Sequence, residues 1–156
     1  MAQTRATQAL DKAGIAYELK SYGYDPNAER IGVHAAESMG VPPDQVLKTL
    51  IAYADGKPVC VLVPSDREVN MKKLAQAFGA KSAEMSKPAD AERITGYHVG
   101  GISPFGQKRC LPTTVDQAAF RYERVFLNGG QRGLQIYMVP QDIVTVTSAK
   151  TADLTA

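Results

Sequence analysis

The chain carries two cysteines, two histidines and no tryptophan among 156 residues, and each scarcity removes a class of function. Cys60 and Cys110 lack C-x-x-C spacing, so neither a dithiol redox centre nor a cysteine-rich zinc site is indicated. Cys60 lies inside the apolar run Val59 to Val63, where a thiol packs as a small hydrophobe, which fits a reducing compartment. His34 and His98 are far apart and neither opens an H-x-x-x-H or H-E-x-x-H pattern, so no metal or other cofactor is predicted. No G-x-S-x-G elbow is present, and two histidines do not supply a credible Ser-His-Asp or Cys-His arrangement. No segment reaches the ~20 apolar residues of a membrane span, and Met1 to Ala13 has no apolar run of signal-peptide length. The expectation is a soluble, cytoplasmic protein without membrane contact. Charge of one sign is also lacking: 18 Lys and Arg against 16 Asp and Glu leave only +2, so any nucleic-acid contact has to come from local patches. Lys72-Lys73, Lys108-Arg109, Arg121 with Arg124, and Arg132 are such patches, though each taken singly reads first as solvated surface charge.

What remains is a chain of one-domain size, 44% hydrophobic, whose periodicity switches between helix and strand, and residues 1–156 are read as a single compact domain. Thr4 is placed to cap a helix running to Ala13, with Gly14 after its end. Ile15, Tyr17 and Leu19 alternate with polar residues as a strand does, Tyr22 to Asn27 reads as loop, and Ile31 to Met39 reads as a helix stopped by Gly40. The apolar runs Val46 to Tyr53 and Val59 to Val63 flank Asp55-Gly56, a hairpin signal. Asn70 caps a helix from Met71 to Phe78, and Ser86 with Pro88 starts another that reaches about Ile94. Leu111 to Val115, Tyr122 to Leu127 and Leu134 to Val139 read as strands, and Pro140 opens a final amphipathic or mixed segment. The fold class is α/β, with a mixed, mostly antiparallel sheet flanked by helices.

Two features carry chemistry. Gly96-Tyr97-His98-Val99-Gly100-Gly101-Ile102-Ser103-Pro104-Phe105-Gly106-Gln107 packs four glycines and a proline around a hydroxyl and an amide. Such a loop can bring backbone N–H groups against an oxyanion or phosphate, and it can equally be a tight turn between strands. It lacks the order of a dinucleotide or P-loop fingerprint. Lys48 sits in the middle of the apolar run Val46 to Tyr53, where a cation must either reach an edge or find a partner.

The run Pro43-Asp44-Gln45-Val46-Leu47-Lys48-Thr49-Leu50, followed by Thr95 to Gln107, closely resembles the YbaK family of freestanding aminoacyl-tRNA deacylases, whose fold is also inserted into many bacterial prolyl-tRNA synthetases as an editing domain. The resemblance extends through Tyr22, Asp25-Pro26, Lys72 to Ala80, Leu111-Pro112-Thr113 and Gly129 to Leu134. It implies a trans-acting editor with the YbaK fold, acting on mischarged tRNA(Pro), with cysteine as the amino acid removed and prolyl-tRNA synthetase as a conceivable partner. The family's lysine and G-x-x-x-P loop fall on Lys48 and Gly100 to Pro104. The implied catalytic residues are Lys48, Gly100 and Gly101, with the two glycine N–H groups on the carbonyl oxygen. The implied substrate contacts are Tyr22, Ile102, Ser103, Pro104, Asn128, Gly129, Gly130 and Gln135. For a cysteinyl ester the substrate thiol can be the nucleophile, so the enzyme needs none of its own. Asn128 and Gln135 depart from the serine and aspartate usual in that branch, which leaves open a noncatalytic tRNA-binding module and a deacylase for another small aminoacyl-tRNA such as Ala-tRNA.

Overall fold

The computed structural model describes residues 3–28 and 30–156. Helix α1 (Arg5–Lys12) begins where the Thr4 side chain accepts a hydrogen bond from the Thr7 N–H and the Thr7 side chain accepts one from the Thr4 N–H, a closed capping box. It is followed by β1 (Glu18–Ser21), later than the alternation at Ile15 implies. Ile15 and Tyr17 instead pack on the core from the connecting segment. Helix α2 (Ile31–Met39) ends at Gly40 in the left-handed conformation, as its sequence indicates. After a 3-10 turn at Pro43–Gln45 come β2 (Leu47–Ala54) and β3 (Lys57–Pro64), joined at Asp55-Gly56 with φ of 49° and 79°. Two positive φ values make a type I′ turn, whose twist suits a hairpin. Helix α3 (Met71–Ala77) is capped by Asn70, which accepts from the Lys73 N–H.

The short strand β4 (Ala83–Met85) has no pattern of its own and was not foreseen. Helix α4 (Pro88–Thr95) follows, but Ser86 does not cap it: the Ser86 N–H donates to Ile51 O at 3.0 Å, so this residue extends the pairing onto β2 instead. Strand β5 (Thr113–Asp116) leads into a 3-10 turn at Gln117–Arg121, and β6 (Val125–Asn128) keeps only Val125 to Leu127 of the expected Tyr122 to Leu127 run and adds Asn128. Strand β7 (Leu134–Met138), α5 (Pro140–Thr147) and β8 (Lys150–Ala152) complete the chain, the last two resolving the mixed segment after Pro140.

The strands form two sheets rather than one. β1-β7-β6 is antiparallel, and β4-β2-β3-β5-β8 is antiparallel through β4, β2 and β3 and parallel from β3 to β8. A parallel bridge from Val46 to Phe126 stitches them together at the start of β2. The main core lies where the sheets meet α1, α4 and α5, around Leu10, Leu62, Phe105, Leu127, Ile136 and Ile143. A smaller cluster, with Val61, Val63, Leu74 and Leu154, lies under α3. Among the described residues no helix is long and apolar enough to cross a membrane.

One detail of this topology positions the site. In a two-residue hairpin the flanking pair, here Ala54 and Lys57, is hydrogen-bonded, so the even-numbered residues of β2 bond to β3. The odd-numbered ones turn their N–H and C=O groups the other way, where β4 covers only Ala52–Ala54. The Val46–Phe126 bridge covers the start of the strand, so among the described residues Lys48 to Leu50 form an open sheet edge.

Candidate functional site

That open edge is one wall of a cavity of about 370 Å3, and residues 46–51 all border it. Tyr22, Arg30 and Gly32 close it on one side, Val99, Gly100 and Ile102 on another, and Asn128 with Gln135 from the β6–β7 hairpin at the back. Lys48 and the glycine loop thus line one cleft. The Lys48 side chain is 24% exposed, and the one ion pair it makes among the described residues is long, 3.9 Å to Glu68 Oε1, with Glu68 largely in solvent. Burial pulls the Lys48 pKa below its usual 10.5, and Glu68 opposes the shift. This is a cation held in place by the strand and weakly neutralised, ready to meet an anion or a developing negative charge.

Three side-chain atoms in the cleft are buried without a hydrogen-bond partner among the described residues: Tyr22 Oη, Thr49 Oγ1 and Gln135 Oε1. Buried polar groups are almost always satisfied, and leaving one unpaired costs about 1–3 kcal/mol. All three belong to residues that border one cavity, which makes it the candidate place for a polar ligand. Burial raises the Tyr22 pKa above 10, opposed by the backbone of Gly133 and then by the Gln135 side chain, both of which lie near its hydroxyl. Thr49 was missed from the sequence. A strand turns successive side chains to opposite faces, so the position of Lys48 did not point to Thr49; only the missing partner strand brings both residues to the cleft.

The glycine loop is built differently from what its composition implied. Gly100 has φ of 89°, and a Cβ there would lie 2.6 Å from Tyr24 Oη. The Tyr24 ring in turn lies under the Arg132 guanidinium, 5.4 Å from its centroid, and Arg132 Nε donates to Val99 O at 2.9 Å. Gly101 is buried against the backbone of Gln131 and Arg132, with a Cβ position only 3.0 Å from Arg132 N. Its N–H donates to His98 O at 2.8 Å, closing a turn, so it is not aimed at a ligand carbonyl. This corrects the role expected of Gly101. The Gly100 N–H has no such bond among the described residues and stays a candidate donor.

Four further expected contacts lie outside the cleft lining. Ser103 is fully buried and its Oγ accepts from the Phe105 N–H at 3.1 Å, a local turn bond that uses the hydroxyl internally. Pro104 is buried beside it. Gly129 O accepts from Thr4 Oγ1, and a Cβ on Gly130 would meet the Tyr97 ring, so both glycines pack toward α1 and Tyr97. Asn128 borders the cleft but is saturated: Nδ2 donates to Gly100 O at 3.0 Å and Gln131 O at 3.4 Å, and Oδ1 accepts from the N–H groups of Gly130 and Gln131. It clamps the glycine loop to the hairpin. Cys60 is fully buried with its thiol pushed up to about 12 by burial, a packing group.

The comparisons with known proteins identify the family. The family model of the aminoacyl-tRNA editing domain matches residues 25–146. A protein of Enterococcus faecalis that carries the name Cys-tRNA(Pro)/Cys-tRNA(Cys) deacylase EbsC is 32% identical over 155 residues, covering 98% of this chain and 93% of its own. A proline–tRNA ligase of Nitratidesulfovibrio vulgaris is 44% identical over 79 residues, which are 48% of this chain and 14% of the ligase. A solved structure described as a trans-editing enzyme for prolyl-tRNA synthetase superposes with a TM-score of 0.85 at 22% identity, covering 100% of this chain and 99% of that one, and shows the fold. The chain belongs to the aminoacyl-tRNA editing domain family.

Proposed function

We propose that the chain is a trans-acting editing deacylase that removes cysteine from mischarged tRNA(Pro), working in the cytoplasm as one editing domain across its length. The observation that carries this reading is the cleft itself, where one half-buried cation and three polar groups without a partner among the described residues border a space fit for a small aminoacyl group. Membership of the editing family and the likeness to the Enterococcus protein support the substrate class. Lys48 acts on the developing oxyanion or the last phosphodiester of the tRNA, assisted by the Gly100 N–H. Tyr22, Thr49 and Gln135 offer three neutral oxygens to the substrate ammonium, which has three protons to donate. Ile102 supplies apolar wall.

The cysteinyl thiol, as thiolate, forms the new C–S bond to its own ester carbonyl. The C–O bond to the ribose breaks, the proton lost from sulfur ends on the ribose oxygen, and the amino acid leaves as a thiolactone that water opens. Of the protein's two thiols, Cys60 is buried and Cys110 is not among the cleft residues, consistent with a nucleophile brought by the substrate. Prolyl-tRNA synthetase is the natural presenter of such a substrate, since the mischarged tRNA arises there.

The test is a deacylation panel with tRNAs charged with cysteine, serine, alanine and proline. Cysteinyl ester is expected to turn over fast and seryl ester far more slowly, since its hydroxyl stays protonated near neutral pH. Equal rates for the two would remove the substrate-assisted route, and no turnover of any charged tRNA would remove the deacylase.

A further inference from the structure

The basic pairs Lys72-Lys73 and Arg121 with Arg124 take no part in the cleft, yet the fold brings one member of each to a single place. Lys73 on α3 and Arg121, at the end of the 3-10 turn after β5, line a second cavity of about 230 Å3 together with Arg67. Its walls are almost wholly polar, in contrast to the largely apolar first cleft, and include Asp116, Asp153 and Thr155.

Both carboxylates are already engaged. Asp116 is 1% exposed, and its two oxygens accept from the backbone N–H groups of Ala118 at 3.0 Å and Leu154 at 2.8 Å. Asp153 pairs with Lys73 Nζ at 2.7 Å, and Lys73 donates a second bond to Thr155 O at 2.7 Å. That leaves one ammonium proton of Lys73 facing outward from a fixed position. Arg67 and Arg121 make no ion pair among the described residues. Ala156, with its α-carboxylate, also lines the cavity, so the cations are balanced in number; Arg67 and Arg121, without an ion pair among the described residues, are the guanidinium groups left to hold phosphate oxygens.

The position matters as much as the charge. Ser65 and Glu68 border the first cleft and Arg67 borders the second, so one turn of chain separates the two. Neighbouring Cα atoms are about 3.8 Å apart, which places Arg67 within a nucleotide or two of the first cleft's rim. We propose that the second cavity binds a backbone phosphate of the RNA strand whose 3′ end enters the first cleft. This rests on the aminoacyl-tRNA reading for the identity of the strand.

The test measures binding of uncharged tRNA by fluorescence anisotropy across a salt series, for the full chain and for Arg67→Ala/Arg121→Ala. The original protein is expected to lose affinity linearly in log–log form, and the double variant to bind several-fold more weakly with a slope shallower by about 1, the loss of roughly one phosphate contact. Arg67→Lys/Arg121→Lys should keep the slope, which separates charge from folding. Turnover of a cysteinyl ester of adenosine, which has no upstream phosphates, should be equal in the original protein and both variants. An unchanged slope in the alanine variant, or no tRNA binding by the original protein, overturns the phosphate site. Failure of the deacylation panel alongside the expected slope change would sink the deacylase and leave the phosphate site standing.

Discussion

The glycine loop, residues 96–107, and the open edge of β2 face each other across the same cleft, yet they meet it in opposite ways. The loop is rich in the features that suggest a ligand site, and most of them are turned inward: Gly101 closes a turn and packs on the hairpin, Ser103 bonds to Phe105, and Gly100 makes room for Tyr24. The strand edge looks like ordinary core in sequence, and there the polar groups are left without partners. A glycine reports that something approaches closely and does not say whether it is substrate or protein. An unpaired buried oxygen or a weakly paired cation says that whatever completes the site comes from outside.

The sharpest way to break that comparison is to remove the cation. Lys48→Met should lower kcat/KM for cysteinyl-tRNA by about 10²–10³, the scale for losing one electrostatic group aimed at a developing oxyanion. Stability should move the other way. The folded-state pKa of Lys48 lies below 10.5, so between that value and 10.5 the unfolded chain binds more protons and stability rises with pH. Below this window the buried charge is a cost, so the Met variant should be at least as stable at neutral pH, its advantage shrinking as pH climbs toward 10.5. Urea unfolding at several pH values reads the slope, and the original enzyme's rate should fall as pH rises through the Lys48 pKa. Near-normal turnover by the Met variant would remove Lys48 from the chemistry.

Local physics explains why some of this was legible from the chain. The Thr4 and Asn70 caps, the Asp55-Gly56 turn and the stop at Gly40 depend on residues within a few positions of one another, and they form as their sequence indicates. Lys48 was conspicuous because a cation interrupts an apolar run. Thr49 was not, since a threonine in a strand is unremarkable until the partner strand on one side is known to be missing. β4 and the division into two sheets escaped for the same reason: three residues without alternation join β2 only because Ser86 and Met85 are delivered there by the chain from α3. The roles of Ser103, Gly129 and Gly130 turned on which face of the loop met α1 and Tyr97, a matter of tertiary contact.

A smaller effect is expected on the loop side. Gly100→Ala forces a β-carbon into Tyr24 and an L residue into φ of 89°, so it should cost about 1–3 kcal/mol of stability and lower activity with it. Adding Tyr24→Ala should relieve the steric part, leaving the cost of the positive φ. A double-mutant cycle by urea unfolding measures that coupling. If Gly100→Ala lost activity at unchanged stability, the glycine would be serving ligand approach after all, and the contrast between loop and strand would weaken.

The smallest expected change is the most discriminating. Thr49→Val keeps the shape and β-branched character of the side chain and deletes an oxygen that has no partner in the fold. Since no described residue bonds to that oxygen, the variant should be as stable as the original or more stable by up to about 1 kcal/mol. If the oxygen bonds to the substrate, kcat/KM for cysteinyl-tRNA should still drop by roughly tenfold, the worth of about 1.4 kcal/mol. A more stable and less active enzyme is what a residue poised for an absent ligand produces. Unfolding curves and kcat/KM measured on the same preparation check both halves: if Thr49→Val is less stable, its hydroxyl serves the fold, and if activity is untouched, the substrate does not reach it.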